Sequence, residues 1–337
     1  IENSLDACST NITVEVEKGG ANLITVCDDG VGLAPSFMKN AIARHWTSKL
    51  ETFDELRNLK TFGFRGEALA SIASVADLTL TSRVLEDHAW TMKSSPNSGP
   101  TSPILSKGNF GTRVEVRGLF HNVPVRRRFL KQPRTEYLHI LRLVRQFAFA
   151  CPLIGFSLYQ QGSKGLRLKS SLREERHSSR WRGLFGKNFC EKAVYLNVQK
   201  GSFRLSGWIG RPEQATNLAE TQFFCVNGRI VKDRQLQHAI RMAYRDEIAP
   251  GRYPVYALDL SLSPESVDVN VHPGKKEVRV SEVRTAHDFI FTPLREAIYS
   301  EAFDLFPEAE STRVASRNSI DASFSKGSNA KNELGSS

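Results

Sequence analysis

From Asn11 to Gly30 apolar and polar residues alternate on either side of Lys18-Gly19-Gly20. Alternation of this kind puts every second side chain on one face of a sheet, so NITVEVEKGGANLITVCDDG is predicted to be a β-hairpin turning at the glycines. The residues in front of it, IENSLDACSTN, set Leu5 and Ala7 against a polar face of Glu2, Asn3 and Asp6, and look like the last turns of a helix. After the hairpin, PSFMKNAIARHW changes to helical spacing. TSKLETFDELRNLKTFGFRGE is polar and aperiodic, which predicts a mobile stretch. GEALASIASVA is a small-residue helix able to pack closely, DLTLTSRV returns to strand, KSSPNSGPTSP reads as a loop, and GTRVEVRGLF as another strand. In YLHILRLVRQFAFAC the residues Leu138, Leu141, Val144, Phe147 and Ala148 recur at helical spacing and predict a packed helix.

The pattern resets around SSRWRGLFGKNF, which puts a domain boundary near residue 183. The second half reads as a strand (RLSGWIG), a hairpin (FFCVNGRIV) with Asn227-Gly228 as its type I′ turn, and a helix (RQLQHAIRMAYRDEI). A strand (VYALDLSL), a loop-rich segment (VDVNVHPGKKEVRV) and a long last helix (AHDFIFTPLREAIYSEAF) follow. Strands and helices in this order make mixed α/β layers, an α+β chain with domains over 1–182 and 183–307. From Glu308 to Ser337 bulky apolar residues thin out, and this part is expected to be a disordered linker.

Composition narrows the class. Hydrophobic residues make up 40% and charged residues 24%, as in ordinary globular proteins, and no apolar run has the length of a membrane helix. The formal charge of +10 favours an acidic partner, nucleic acid first and a membrane surface second. Five dispersed cysteines without a CxxC pair fit reduced thiols in a cytoplasmic protein and argue against disulfides or zinc; the eight histidines also lack metal-ligand spacing.

Three glycine-containing loops could carry chemistry: Asp28-Asp29-Gly30-Val31-Gly32, Gly63-Phe64-Arg65-Gly66-Glu67, and Gly108 through Thr112. Each alone is an ordinary turn. Together they suggest a nucleotide site. The first puts a carboxylate beside glycines that let a flat ligand approach the backbone, and an Asp there can accept from an exocyclic amine. The second opens a helix, where free N–H groups favour phosphate. Thr47, Ser48 and Lys49 add hydroxyls and a cation just upstream, and no GxxxxGK[ST] occurs.

ENSLDA, DDGVGL, TSK, GFRGEALASI, GTRVEV with LFHNVPVRRRFL, and VDVNVHPGKKEVR stand in the order and spacing of the MutL mismatch-repair proteins. The chain resembles that family, its bacterial branch in particular, from residue 1 to about 305. MutL proteins are GHKL ATPases, like type II topoisomerases, sensor histidine kinases and a heat-shock chaperone family. The resemblance implies a GHKL (Bergerat) sandwich followed by a smaller α/β domain of the ribosomal-protein-like type. It implies ATP and Mg²⁺ as cofactors. Asn3 would complete the Mg²⁺ coordination, Asp28 would accept from the adenine amine with Gly30 and Gly32 leaving room for the base, and Thr112 would assist through water. Thr47 would lie in the lid, the amides of Gly63, Phe64, Arg65, Gly66 and Glu67 would wrap the phosphates, and Lys275 would reach the γ-phosphate from the second domain. The general-base Glu of the family would lie one turn before Asn3, upstream of Ile1. Asp29 stands where the family often has Asn, and would either add a negative charge near the nucleotide or be solvated.

Basic residues form two clusters: Arg126, Arg127, Arg128, Lys131 and Arg134, continued by Arg142 and Arg145, and Arg229, Lys232, Arg234 and Arg241 around the second hairpin. Such runs are often only solvated faces, but with the net charge they suggest phosphate contact without sequence reading. The resemblance implies DNA binding along a groove of an ATP-dependent homodimer, with Arg234 singled out. It also implies coupling of a MutS-type mismatch sensor to an endonuclease and a helicase in the cytoplasm, at the nucleoid, with no membrane partner. The alternatives are the ATPase region of a topoisomerase, or a nucleotide- and DNA-binding fragment without turnover.

Overall fold

The β1–β2 hairpin, which the alternation predicts, is the middle of a nine-stranded sheet in the computed structural model of the chain. The structure describes residues 1–43, 66–172, 179–263, 267–268, 279–280 and 283–299, all within one compact unit, Ile1–Tyr299. In chain order the elements of the first half are α1 (Glu2–Asp6), β1 (Asn11–Glu17), β2 (Leu23–Asp28), α2 (Pro35–Ile42), α3 (Ala68–Ala73), β3 (Asp77–Arg83), β4 (Ala89–Ser95) and β5 (Gly99–Pro100). There follow β6 (Ile104–Ser106), β7 (Gly111–Arg117), α4 (Pro124–Arg128), α5 (Pro133–Ala150), β8 (Gly155–Gln160) and β9 (Ser163–Leu168). The strands run β5-β4-β3-β7-β2-β1-β8-β9, with β6 added to β4. Only β1 and β8 are parallel neighbours in this sheet. One face of it is apolar: Leu78, Leu80, Met92 and Val116 are buried against Met38 and Ile42 of α2 and Ala73 of α3. The opposite face is polar, with Glu115 bonded to Arg113 (3.2 Å) and Arg117 (2.6 Å). This division is why the strands alternate so plainly in sequence.

The second half contains α6 (Ser179–Phe185), α7 (Lys187–Lys192), β10 (Val194–Lys200), β11 (Phe203–Ile209), β12 (Gln222–Val226), β13 (Arg229–Ile230), α8 (Arg234–Ala243), β14 (Tyr256–Ser261) and α9 (Val283–Tyr299). Its five-stranded sheet runs β10-β11-β14-β12-β13, with β12 and β14 parallel. Asn227 and Gly228 have φ of 50° and 73°, the left-handed pair that a type I′ turn requires. α8 starts on Asp233, whose carboxylate accepts from the Gln235 and Leu236 amides at 2.9 Å each. It buries Leu236 and Ile240, and α9 buries Ile290 and Leu294.

Where the sequence pattern resets, the chain is helical and well packed. Phe149 of α5 lies 6.3 Å from Trp181 and 6.2 Å from Phe223, ring centre to ring centre. Arg180, 1% exposed, donates to the carbonyls of Ala148 (2.6 Å), Cys151 (3.1 Å) and Lys169. Burial pulls its pKa down to about 10, and the carbonyl dipoles at the end of α5 replace a carboxylate partner.

Several expectations need correction. KSSPNSGPTSP is not one loop: its first residues finish β4 and Gly99–Pro100 pair back onto that strand. β4, β8, β9 and β10 have no prediction above, and neither do α6 and α7. The predicted mobile stretch lies mostly within 44–65, which is outside the described residues, as are most of the VDVNVHPGKKEVRV segment and the predicted linker. The five cysteines are thiols, not disulfides. Among the described residues no helix is long and apolar enough to cross a membrane.

Candidate functional site

Three inward-facing strand positions turn polar at the same end of the large sheet. On β2 the series Ile24, Val26 ends on Asp28; on β7 Val116, Val114 ends on Thr112; on β3 Leu78, Leu80 ends on Ser82. The register sets Asp28 opposite Thr112 and Thr112 opposite Ser82, so the three form one row across adjacent strands. A polar group at the edge of an apolar face is costly unless bonded. Here each is.

Asp28 Oδ1 accepts from the Gly30 amide (3.1 Å) and the Thr112 amide (3.2 Å). Both bonds take the same oxygen, and among the described residues Oδ2 receives none. The carboxylate is therefore aimed by one oxygen and left with an acceptor on the other. Ser82, 1% exposed, donates to the Gly111 carbonyl (3.1 Å) and accepts from the Leu33 amide (2.8 Å). The Thr112 hydroxyl lies 2.9 Å from Ser82 Oγ. Since Ser82 has one proton and gives it to Gly111, Thr112 is the donor of this pair and its lone pairs remain available.

The loop after β2 is held against α1. The Val31 amide donates to the Ala7 carbonyl (3.0 Å), and a Cβ on Gly30 would stand 2.6 Å from that oxygen. Only glycine permits this approach. Ala7 in turn donates to the carbonyl of Asn3 (3.0 Å), so the exposed Asn3 sits one turn back on the helix that Gly30 touches. Gly32, at φ 75°, runs beside the Arg83 carbonyl, and Gly111, at φ 100°, beside the carbonyl of Asp28 itself. Asn3, Asp28, Gly30, Gly32 and Thr112 are thus gathered at one end of the sheet by α1, β2 and β7.

Asp29 faces elsewhere. Its carboxylate accepts from the Thr10 amide (2.7 Å) and hydroxyl (2.6 Å), and from the Asn11 amide (2.8 Å) and side chain (3.0 Å). Partial burial pushes its pKa up, but the bonds from Thr10 and Asn11 outweigh this and hold it below the usual carboxylate range. Asp29, partly open to water, thereby takes a structural role at the start of β1. Gly66 (φ 63°) and Glu67 lead into α3. Thr47, Gly63, Phe64, Arg65 and Lys275 lie outside the described residues.

The basic residues differ in exposure. Arg126, Arg127 and Arg128 on α4, with Lys131 and Arg134, are exposed. Arg142 is half-buried and spends a guanidinium N–H on the Ala219 carbonyl (2.8 Å). Arg229 is half-buried too; burial lowers its pKa against the opposing charges of Asp6 and Glu2 on α1. Lys232 and Arg234 are exposed. Arg234 borders a groove of about 560 Å³ between α8 and α9, lined also by Gln235, His238, Arg241, Arg284, His287 and Asp288.

Sequence reasoning missed Ser82, His238, Arg284 and His287. Ser82 had a signal, a hydroxyl at an inward position of a strand. The groove had none, because its two sides are distant in sequence.

Comparison with known proteins gives concordant findings. Residues 1–98 match the family model described as histidine kinase-, DNA gyrase B-, and HSP90-like ATPase, and residues 181–299 match DNA mismatch repair protein, C-terminal domain. The DNA mismatch repair protein MutL of Histophilus somni is 40% identical over 319 residues, which cover 94% of this chain and 52% of that relative. The chain spans about half the length of the curated relatives it matches. Among solved structures, the N-terminal domain of a DNA repair protein aligns with a TM-score of 0.72 at 26% identity, covering 88% of this chain and 91% of the other. The Aquifex aeolicus MutL ATPase domain complexed with ADP aligns with a TM-score of 0.57 at 26% identity, covering 78% and 88%.

Proposed function

The chain belongs to the MutL family of DNA mismatch repair proteins, GHKL ATPases by fold, and from that premise we propose that it binds and hydrolyses Mg·ATP and contacts DNA within such a protein. The observation that carries the nucleotide reading is the Asp28 carboxylate, aimed through Oδ1 by two amides with Oδ2 left as an acceptor. An adenine amine would meet that oxygen, the base lying over the backbone at Gly30 and Gly32, while Thr112 would hold a water against a ring nitrogen.

Residues 1–182 are assigned to ATP binding, 183–307 to a transducer with the DNA surface, and 308–337 to a linker. Asn3 would give Mg²⁺ its one protein oxygen, the triphosphate and water supplying the rest, as magnesium commonly accepts. Thr47 and the segment Gly63 to Glu67 would close over the phosphates, and Lys275 would report the γ-phosphate. ATP would draw two copies together around DNA, and hydrolysis would release them, relaying a MutS-type sensor to an endonuclease and a helicase in the bacterial cytoplasm. Arg126, Arg127, Arg128, Lys232 and Arg234 would touch backbone phosphate, with Arg229 beside them at α1.

Titration calorimetry with Mg·ATP and Mg·GTP tests the site. Guanine presents a carbonyl where adenine presents its amine, so ATP should bind at least ~10-fold more tightly. Equal binding, or none, would remove Asp28 as the base reader. Phosphate release under saturating ATP then reports turnover.

A further inference from the structure

The β12–β13 hairpin of the second half brings a cation to the short helix that carries Asn3. Its tip is fixed from several sides. The Asn227 amide donates to the Leu260 carbonyl (2.9 Å), and the Asn227 side-chain oxygen accepts from the Leu262 amide (2.8 Å). The Gly228 amide donates to Oδ1 of Asp259 (3.1 Å), a buried residue of β14. A Cβ on Gly228 would stand 4.0 Å from the Ala150 carbonyl, at the end of α5. Just beyond, the Gly155 amide donates to the carbonyl of Thr10, which follows α1 (2.8 Å). The hairpin tip and the residues after α1 therefore border the same turn.

Arg229 comes next in the chain. Lys232 and Arg234 beside it are exposed, but Arg229 is half-buried. A guanidinium withdrawn from water needs a counter-charge. Burial disfavours its charge, and the carboxylates that oppose this are Asp6 first and then Glu2. These two stand four apart on α1 and so share one side of it. Helix α1 has only five residues, too few to be stable by itself. Its buried side is held by Ser4 and Leu5, and its end by the Ser9 hydroxyl on the Ser4 carbonyl (2.7 Å) and the Val31 amide on the Ala7 carbonyl (3.0 Å). Arg229 supplies the opposing charge on the acidic side.

We propose that Arg229 is a positioning residue for the nucleotide site: by holding the acidic side of α1 it fixes Asn3, so that a residue of the second half sets the affinity of the first half for Mg·ATP. This rests on the nucleotide reading above, and it separates Arg229 from the exposed cations assigned to DNA. The hold works in both directions, because a coupling between sites is reciprocal. Nucleotide bound at α1 steadies the hairpin, which leads through Asp233 into α8 and Arg234.

Titration calorimetry with Mg·ATP, and with ATP in EDTA, tests this on wild type, Arg229→Gln, Arg229→Lys, Asp6→Asn and Asp6→Asn/Arg229→Gln, each checked by thermal melting. Arg229→Gln should weaken Mg·ATP roughly 5- to 10-fold. Metal-free ATP keeps its base contact at Asp28 and does not use Asn3, so its loss should stay below about 2-fold. Asp6→Asn should cost several-fold, the double variant little more than the larger single loss, and Arg229→Lys should recover most of the affinity. If wild type binds ATP and folded Arg229→Gln binds it equally well, the inference falls and the nucleotide reading stands. It also falls if both forms of ATP weaken alike, if the single losses add in the double variant, or if Arg229→Gln weakens duplex DNA in place of nucleotide. Should Arg229→Gln not fold, Asp6→Asn decides: a loss confined to Mg·ATP supports the inference, and none overturns it. If wild type binds neither form of ATP, the nucleotide reading fails and this inference with it.

Discussion

At the end of the large sheet the groups of the proposed nucleotide site are held by main chain, whereas the basic groups of the α8–α9 groove stand as side chains on two helices. Asp28 is aimed by the amides of Gly30 and Thr112, and Ser82 ties the ends of three strands together. In the groove, Arg234, Arg241 and Arg284 project from helix faces whose opposite sides are buried. A site of the first kind is rigid and selective, because moving any partner moves the backbone. A site of the second kind is adaptable and additive, suited to a repetitive polyanion. The difference teaches what each can tolerate: the first fails when a single Cβ is added, and the second weakens charge by charge.

The largest effect should come from adding that Cβ. Gly111→Ala puts a methyl group against the Asp28 carbonyl at a φ of 100°. We expect a stability loss of roughly 3 kcal/mol or more in urea unfolding, together with loss of nucleotide binding. A loss below about 1 kcal/mol would mean that β7 can shift, and that the main chain is less rigid than argued.

Next comes Asp28→Asn, which keeps the shape. The amide oxygen can still accept from Gly30 and Thr112, but the NH₂ then faces a donor, and ATP affinity should fall by roughly 100-fold, about 3 kcal/mol, with the melting temperature little changed. Unchanged affinity in calorimetry would break the claim that Oδ2 reads the base.

In the groove the effects should be smaller and graded. Arg234→Ala should weaken duplex binding several-fold across unrelated sequences and lower the slope of log affinity against log salt by about 1. A loss confined to one sequence would contradict backbone contact and blur the comparison.

The smallest effect concerns Asp29. Its folded pKa is depressed, so the stability it adds is present above the unfolded carboxylate value and is lost as pH falls through the folded one. Urea midpoints taken from pH 5 down to pH 3 should fall more steeply for the wild type than for Asp29→Asn. As the side chain is largely open to water, screening keeps the difference under about 1 kcal/mol. Identical slopes would remove Asp29 from the acid response.

Much of the large sheet was legible in the chain because its faces differ. β2, β3 and β7 turn one side towards the cluster formed with α2 and α3, β1 buries Ile12, Val14 and Val16 in step with them, and a period of two records that directly. Asp28 and Gly30 stood out as a carboxylate beside glycines at a strand end, whereas Thr112 was given its role only by the family resemblance. β4, β8 and β10 were not legible, since their residues are ordinary and the partner strands decide their state. Leu80 opposite Met92 is a contact that only the register reveals. The interior around Arg180 was equally hidden, because a charged residue reads as surface until three carbonyls from α5, its following turn and the end of β9 converge on it.

The sequence by itself therefore determined the class of the fold and the residue types at the glycine loops, which are local patterns of period and spacing, and it carried the motifs by which the chain resembles its family. Tertiary structure alone decided which groups meet. It set Ser82 beside Thr112, turned Asp29 away to Thr10 and Asn11, and brought His238 to within 5.8 Å of His287 across two helices. The physical reason is that a hydrogen bond or a charge interaction depends on distances of a few ångströms, and chain separation fixes such distances only inside one element.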